Sequence, residues 1–120
     1  MIYRKDKNGN DLSLLGFGCM RFQKKLGKIN MELCEKQIMN AYNNGVNYFD
    51  TAWFYHGGKS EVTAGKVLKK YARNSFYLAD KLPLSRLGGK DTVIPTFNEQ
   101  LKRCQVDYFD FYLAHNINNS

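Results

Sequence analysis

The chain has 120 residues, 43% of them hydrophobic, enough for one small domain with a core of its own. Eighteen Lys and Arg against eleven Asp and Glu give a formal net charge of +7. The basic residues are scattered, as at Lys24–Lys25 and Lys69–Lys70, and not interleaved with aromatics as a nucleic-acid groove requires, so no nucleic acid is expected as a partner.

No window approaches the ~18 consecutive apolar residues of a membrane span, and no membrane partner is expected. The charged opening "MIYRKDKNGN" has no apolar run behind it, so no secretory signal is read. The cysteines, Cys19, Cys34 and Cys104, include no Cys-x-x-Cys pair, which argues against a disulfide framework or a metal site and fits a reducing, cytoplasmic setting.

In chain order, "MIYRKDKNGNDLSLLGFG" carries two strand-like arms around Asn8-Gly9, a hairpin signal because both residues tolerate positive φ. The second arm runs into the apolar "LLGFG". A helix is expected from Asn30, with Cys34, Ile38, Ala41 and Tyr42 on one face and Gly45 to stop it. "VNYFD" reads as a strand. A second helix presents Ala64, Val67, Leu68 and Tyr71, and "FYLADK" is the next strand. A third helix shows Phe97, Leu101 and Cys104 on one stripe, with Pro95 tolerable only in its first turn. "DYFDFYLAH" is the last strand, and the Asn-rich end, residues 116–120, reads as a loop or a cut end. Alternation of strand and helix implies parallel pairing through βαβ crossovers, with both sheet faces covered.

Two glycine-rich stretches suggest phosphate. "GGKS" at 57–60 resembles the tail of a Walker loop, but the first glycine of that loop would stand where Trp53 does, and an indole denies the close backbone approach. The plainer reading is a turn at Gly57-Gly58, Ser60 capping the second helix and Glu61 in its first turn. "GFGCMR" lacks the third glycine of a dinucleotide fingerprint, Arg21 standing in its place.

Polar chemistry collects instead at strand ends. Asp50 ends one strand, with Tyr55 in the loop after it; Lys81 ends the next, after the apolar "FYLA" and Asp80, and His115 ends the last, after a second "FYLA". Carboxyl ends of parallel strands are where βα folds build their sites. Any one of these residues alone reads as an ordinary solvated side chain; their recurrence at one level points to a site.

The segments "LSLLGFGCMRF", "NYFDTAWFYHGGKSE", "FYLADKLP" and "FNEQLKRCQVDYFDFYLAHN" together resemble the aldo-keto reductase superfamily, in order and spacing, over nearly the whole chain. The resemblance implies α/β architecture, the N-terminal half of a (β/α)8 TIM barrel: a β-hairpin, about four parallel strands and three helices. It implies NADPH-dependent reduction of a small-molecule aldehyde or ketone, and a catalytic tetrad at Asp50, Tyr55, Lys81 and His115. The roles suit the residue types. Tyr55 is the implied general acid; a phenol, with an ordinary pKa of about 10, needs a neighbouring ammonium to stabilise its anion. Asp50 would hold Lys81, and His115 would donate to the substrate oxygen. Gly18, Cys19, Met20 and Asp50 would touch the nicotinamide end of NADPH, and Trp53 and Phe54, with His115, would wall the substrate pocket.

One residue departs from the family pattern. A small hydroxyl residue commonly precedes the lysine; here Asp80 does, and strand alternation points it into the helix layer, where an acid is costly. A complete barrel takes roughly 250 residues, so residues 1–120 read as a single unit truncated after the fourth strand. Most contacts to the rest of NADPH would then lie outside it. Four strands cannot close, and their open edges invite self-association or complementation. Two alternatives stay open: a non-catalytic regulatory or interaction protein on the same scaffold, and an inactive half-barrel remnant. "GFGCMRF" and "FNEQLKRC" also resemble a subgroup whose longer chains end in an iron–sulfur module. The cysteines here lack cluster spacing, so such a cluster would belong to a C-terminal region outside this chain.

Overall fold

The fold begins with a hairpin. In this computed structural model, which describes residues 1–117, strands β1 (Tyr3–Lys5) and β2 (Asp11–Ser13) pair antiparallel, with Tyr3 opposite Ser13. Asp6 organises the connecting loop by accepting from the amides of Asn8 and Asn10 at 2.8 and 2.9 Å, and Gly9 supplies a φ of +84°. Asn47 pins the hairpin to the body, accepting from the Ser13 amide and donating to the Asp11 carbonyl, each at 2.8 Å.

The chain continues with β3 (Phe17–Gly18), a short ribbon of β4 (Lys24–Lys25) and β5 (Lys28–Ile29), α1 (Met31–Asn43), β6 (Tyr48–Asp50), α2 (Ser60–Leu68), β7 (Tyr77–Pro83), α3 (Val93–Cys104) and β8 (Phe111–His115). β3, β6, β7 and β8 form one parallel sheet in that order. Consecutive parallel strands joined through helices are the build of part of a (β/α)8 barrel. Of the Asn-rich end, residues 118–120 lie outside the described ones.

The expected α1 forms. The Asn30 side chain accepts from the Leu33 amide at 3.2 Å, and Gly45 follows the helix at φ +94°. Cys34 and Ile38 are buried. α2 differs from its sequence reading twice. Ser60 is its first residue and not its cap: the hydroxyl donates to the Cys19 carbonyl at 2.7 Å and lies 2.8 Å from that of Thr51, so it ties strand ends together. The helix also stops at Leu68, and Tyr71 leaves the stripe to stack on Tyr42. In α3, Pro95 sits in the first turn, where its missing N–H is harmless. The buried stripe there is Thr96, Gln100 and Cys104, while Phe97 turns toward Phe109 and Tyr112.

The core lies between the sheet and the helices. It joins Phe49 and Leu78 from the strands to Cys34 and Ile38 of α1, Val67 and Leu68 of α2, and Cys104 of α3. Gly65 sets the α2–α3 approach, because a Cβ there would meet the Cys104 carbonyl oxygen at 2.5 Å.

Register places the polar residues. Asp50 is level with Ala79, Lys81 with Leu113, and Pro83 with His115. Lys81 therefore does not end its strand; β7 runs on to Pro83. The three residues climb by two positions per strand rather than sharing one level. Two is the period of the pleat, so all three still face the same side of the sheet.

Candidate active site

Lys81 anchors the site. Its Nζ lies 2.8 Å from both carboxylate oxygens of Asp50 and 2.8 Å from the carbonyl of Thr51. An ammonium has three donors, and these acceptors use them. The lysine side chain is 12% exposed and the aspartate 28%, so solvent screens the pair only in part. Above it stands Tyr55, whose ring centroid is 4.9 Å from Nζ. Lys81 thus meets Tyr55 through the face of its ring.

Tyr55 opens a short 3-10 turn, Tyr55–Gly58, that carries the chain from the end of β6 toward α2. The turn depends on consecutive left-handed residues, His56 at φ 53°, Gly57 at 60° and Gly58 at 93°. Glycine takes such angles readily, whereas histidine needs support. His56 has it: Nε2 accepts from the Phe22 amide at 2.8 Å, and the ring stacks on Phe22. Its pKa is lowered, by burial first and by the Lys24 charge second, in keeping with an acceptor nitrogen.

His115 ends β8 and meets Tyr55 edge to face, with ring centroids 6.0 Å apart. Its Nδ1 is buried without a hydrogen-bond partner among the described residues. Tyr55, His56 and His115 line a cavity of about 540 Å³ together with Met20, Phe54, Ser85 and Asn116. A larger cavity, about 620 Å³, lies beneath the N-terminal hairpin between Tyr3, Asp11 and Asn47. It holds no acid–base pair, since Asp11 is engaged by Lys5 at 2.8 Å.

Asp50, Tyr55, Lys81 and His115 are therefore brought together, and Met20 and Phe54 join Tyr55 and His115 on the cavity wall. Two other expectations fail. Trp53 points elsewhere, held between Arg103 and Arg86 at 3.8 and 4.3 Å, and lines a separate cavity with Thr92, Pro95 and Glu99. Cys19 is turned into the core, with its amide on the Asp50 carbonyl at 2.8 Å. Burial pushes its thiol far above the ordinary range, leaving an inert core residue beside Gly18. Gly18 remains open, for a Cβ there would meet nothing within 4 Å.

Sequence reasoning missed the Thr51 carbonyl, a backbone acceptor that no residue type announces. It placed Asp80 correctly in the helix layer. Asp80 is fully buried and its pKa is pushed up to about 10, by burial first and then by Glu61, to which it hydrogen-bonds. Burial and the neighbouring acid thus favour its protonated form.

Comparison with known proteins adds the family. The Aldo/keto reductase family model matches residues 14–120. "Probable aldo-keto reductase 1" of Glycine max is 33% identical over 124 residues, covering 93% of this chain and 35% of its own length. A thermostable aldo-keto reductase solved with the inhibitor epalrestat superposes with a TM-score of 0.83 at 27% identity, over 99% of this chain and 44% of its own. An aldo-keto reductase from Klebsiella pneumoniae, solved with NADPH, has a TM-score of 0.82 at 20% identity, over 100% and 42% of the two chains, and shares the fold. The chain spans about a third of the length of its curated relative.

Proposed function

The chain belongs to the aldo/keto reductase family, and from that membership we propose that it carries the proton-handling centre of an NADPH-dependent reductase of small aldehydes or ketones. The observation that carries this reading is the Lys81 ammonium, fixed on Asp50 and set under the face of Tyr55, which lines the cavity. Residues 1–120 are read as a single unit, the N-terminal portion of the barrel. The three unpaired, buried cysteines support a reducing, cytoplasmic setting.

Fit to the cofactor rests on the open face above Gly18 and the half-exposed Met20 beside the cavity. These would seat the nicotinamide end, with Asp50 beneath; Cys19 is excluded by its burial. A bound NADPH supplies the hydride. The chain's own residues manage the oxygen. His115 and Tyr55 would bracket the carbonyl oxygen, and the phenol would give its proton to the developing alkoxide. Lys81 favours the phenolate left behind by charge, and Asp50 keeps the ammonium in place without a competing acid. Phe54 and Met20 give the cavity apolar walls.

The test is NADPH binding by fluorescence and NADPH oxidation with a panel of aldehydes and ketones, on this chain and on its gene product extended downstream. Saturable binding with turnover supports the reading. Binding without turnover of any carbonyl would favour the non-catalytic reading, and neither in either form sinks the assignment.

A further inference from the structure

Behind Lys81 the sheet is unfinished. On the β6 side, Tyr77 donates to the Asn47 carbonyl, and Thr51 donates to that of Ala79. Alternate residues of a strand address the same neighbour, so Lys81 turns its own amide and carbonyl toward β6, which has ended at Asp50. The next acceptor, the Thr51 carbonyl, is occupied by the Lys81 ammonium. Two peptide groups beside the site thus need other partners.

They find them in side chains. The Lys81 amide donates to Asp80 Oδ1 at 2.8 Å, and the Lys81 carbonyl accepts from Gln100 Nε2 at 2.8 Å. Gln100 is fully buried on α3, and its amide is fully used. Nε2 also donates to Glu61 Oε2 at 3.0 Å, and Oε1 accepts from the Tyr112 hydroxyl of β8. Glu61, buried on α2, takes Arg103 Nη1 at 3.2 Å on its other oxygen and hydrogen-bonds to Asp80. Donor atoms of Glu61, Asp80 and Cys104 lie within 4.8 Å of one another. Their oxygens are already engaged and Arg103 adds a positive charge, so the cluster is not built for a cation.

We propose that Gln100 and Asp80 are positioning residues that hold Lys81 by its backbone, replacing the missing strand rung so that the ammonium keeps its aim at Asp50 and Tyr55. Gln100 ties the lysine's peptide to α2, α3 and β8 together, and Asp80 closes the other side. A β6-facing edge held only by solvent would let the lysine side chain swing. The inference rests on the reading of Lys81 as the ammonium of the site.

The test compares Gln100→Met, Tyr112→Phe, Asp80→Asn and Asp80→Leu in the full chain. NMR follows the Lys81 backbone and side-chain resonances, and steady-state kinetics are run alongside. Gln100→Met keeps the shape and deletes both donors. It is expected to fold, to displace the Lys81 resonances, and to lower kcat at least about tenfold with KM within about twofold. Asp80→Asn retains the acceptor and leaves the Lys81 resonances in place, whereas Asp80→Leu moves them. Should Gln100→Met fail to fold, Tyr112→Phe, which removes only the bond orienting Gln100, shows the same displacement in smaller measure. Unmoved Lys81 resonances in folded Gln100→Met, or in Tyr112→Phe in its stead, overturn the proposal. Lack of turnover in the unmodified protein would strike the reductase reading alone, because the resonances decide the clamp without it.

Discussion

Lys81 lies two residues above Asp50 in the sheet register, yet its ammonium reaches back to 2.8 Å from both carboxylate oxygens. Removing one member of such a partly buried pair leaves the other without compensation. Lys81→Met is expected to lower carbonyl turnover at least about a hundredfold while far-UV circular dichroism stays unchanged. Turnover close to that of the unmodified protein would remove Lys81 from the mechanism.

Tyr55→Phe deletes one oxygen and leaves the ring against Lys81 and His115. Reduction should fall by at least about a hundredfold, with the melting temperature preserved. Near-normal turnover in this variant would defeat the assignment of Tyr55 as general acid.

Asp80 gives stability a pH dependence. Its folded pKa is pushed up to about 10 by burial and by Glu61, against about 3.9 for an unfolded aspartate. Between these values the folded state holds a proton that the unfolded state has released. Stability therefore falls as pH rises through that window. Asp80→Asn has no proton to lose, so its melting temperature should gain on the unmodified protein by at least about 5 °C between pH 5 and pH 9. Parallel melting curves across that range would contradict the burial argument.

His56 works in the opposite direction. Its folded pKa is lowered, by burial first and by Lys24 second, so protonation is resisted in the folded state. Its contribution is present above the ordinary histidine value of about 6.5 and is lost as pH falls below it. The Phe22 amide, bonded to Nε2 at 2.8 Å, should lose at least about fivefold of its hydrogen-exchange protection between pH 7.5 and pH 5.5. A constant protection factor would show that His56 does not hold the loop.

Gly65→Ala tests the helix layer. The added methyl would lie 2.5 to 2.7 Å from Cys104 backbone atoms, which cannot rotate aside. A loss of about 1–3 kcal/mol in unfolding free energy is expected by chemical denaturation. An unchanged midpoint would mean that α2 and α3 separate freely.

Much of this was legible in the chain. Asn30, Gly45 and Pro95 marked helix boundaries through local chemistry, and the repeated apolar "FYLA" runs marked parallel strands. Asp50, Lys81 and His115 could be grouped because each follows an apolar strand run, although β7 continues past Lys81 to Pro83. What could not be read was tertiary. Trp53 and Phe54 are neighbours of similar type, and only the position of Arg86 and Arg103 sends the first away from the cavity. Cys19 is buried in a core assembled from distant residues, and its carbonyl takes the hydroxyl of Ser60, 41 residues later. The β4–β5 ribbon turns through Leu26 at φ 55° and Gly27 at 78°, and leucine gives no turn signal. Gln100 gives no local signal of its role, since its partners come from α2, β7 and β8.

The adjacency of Asp80 and Lys81 has a consequence for how the strand finds its place. Consecutive residues face opposite sides, so a slip of β7 by one position would exchange their surroundings. The ammonium would enter the helix layer beside Arg103, and the carboxyl would face Asp50 across the sheet. The second sets like charge against like, and the first strips the Asp50 carboxylate of its ammonium. Opposed residues at successive positions thus proofread the pairing of this strand, and an error is rejected by the chemistry of the site.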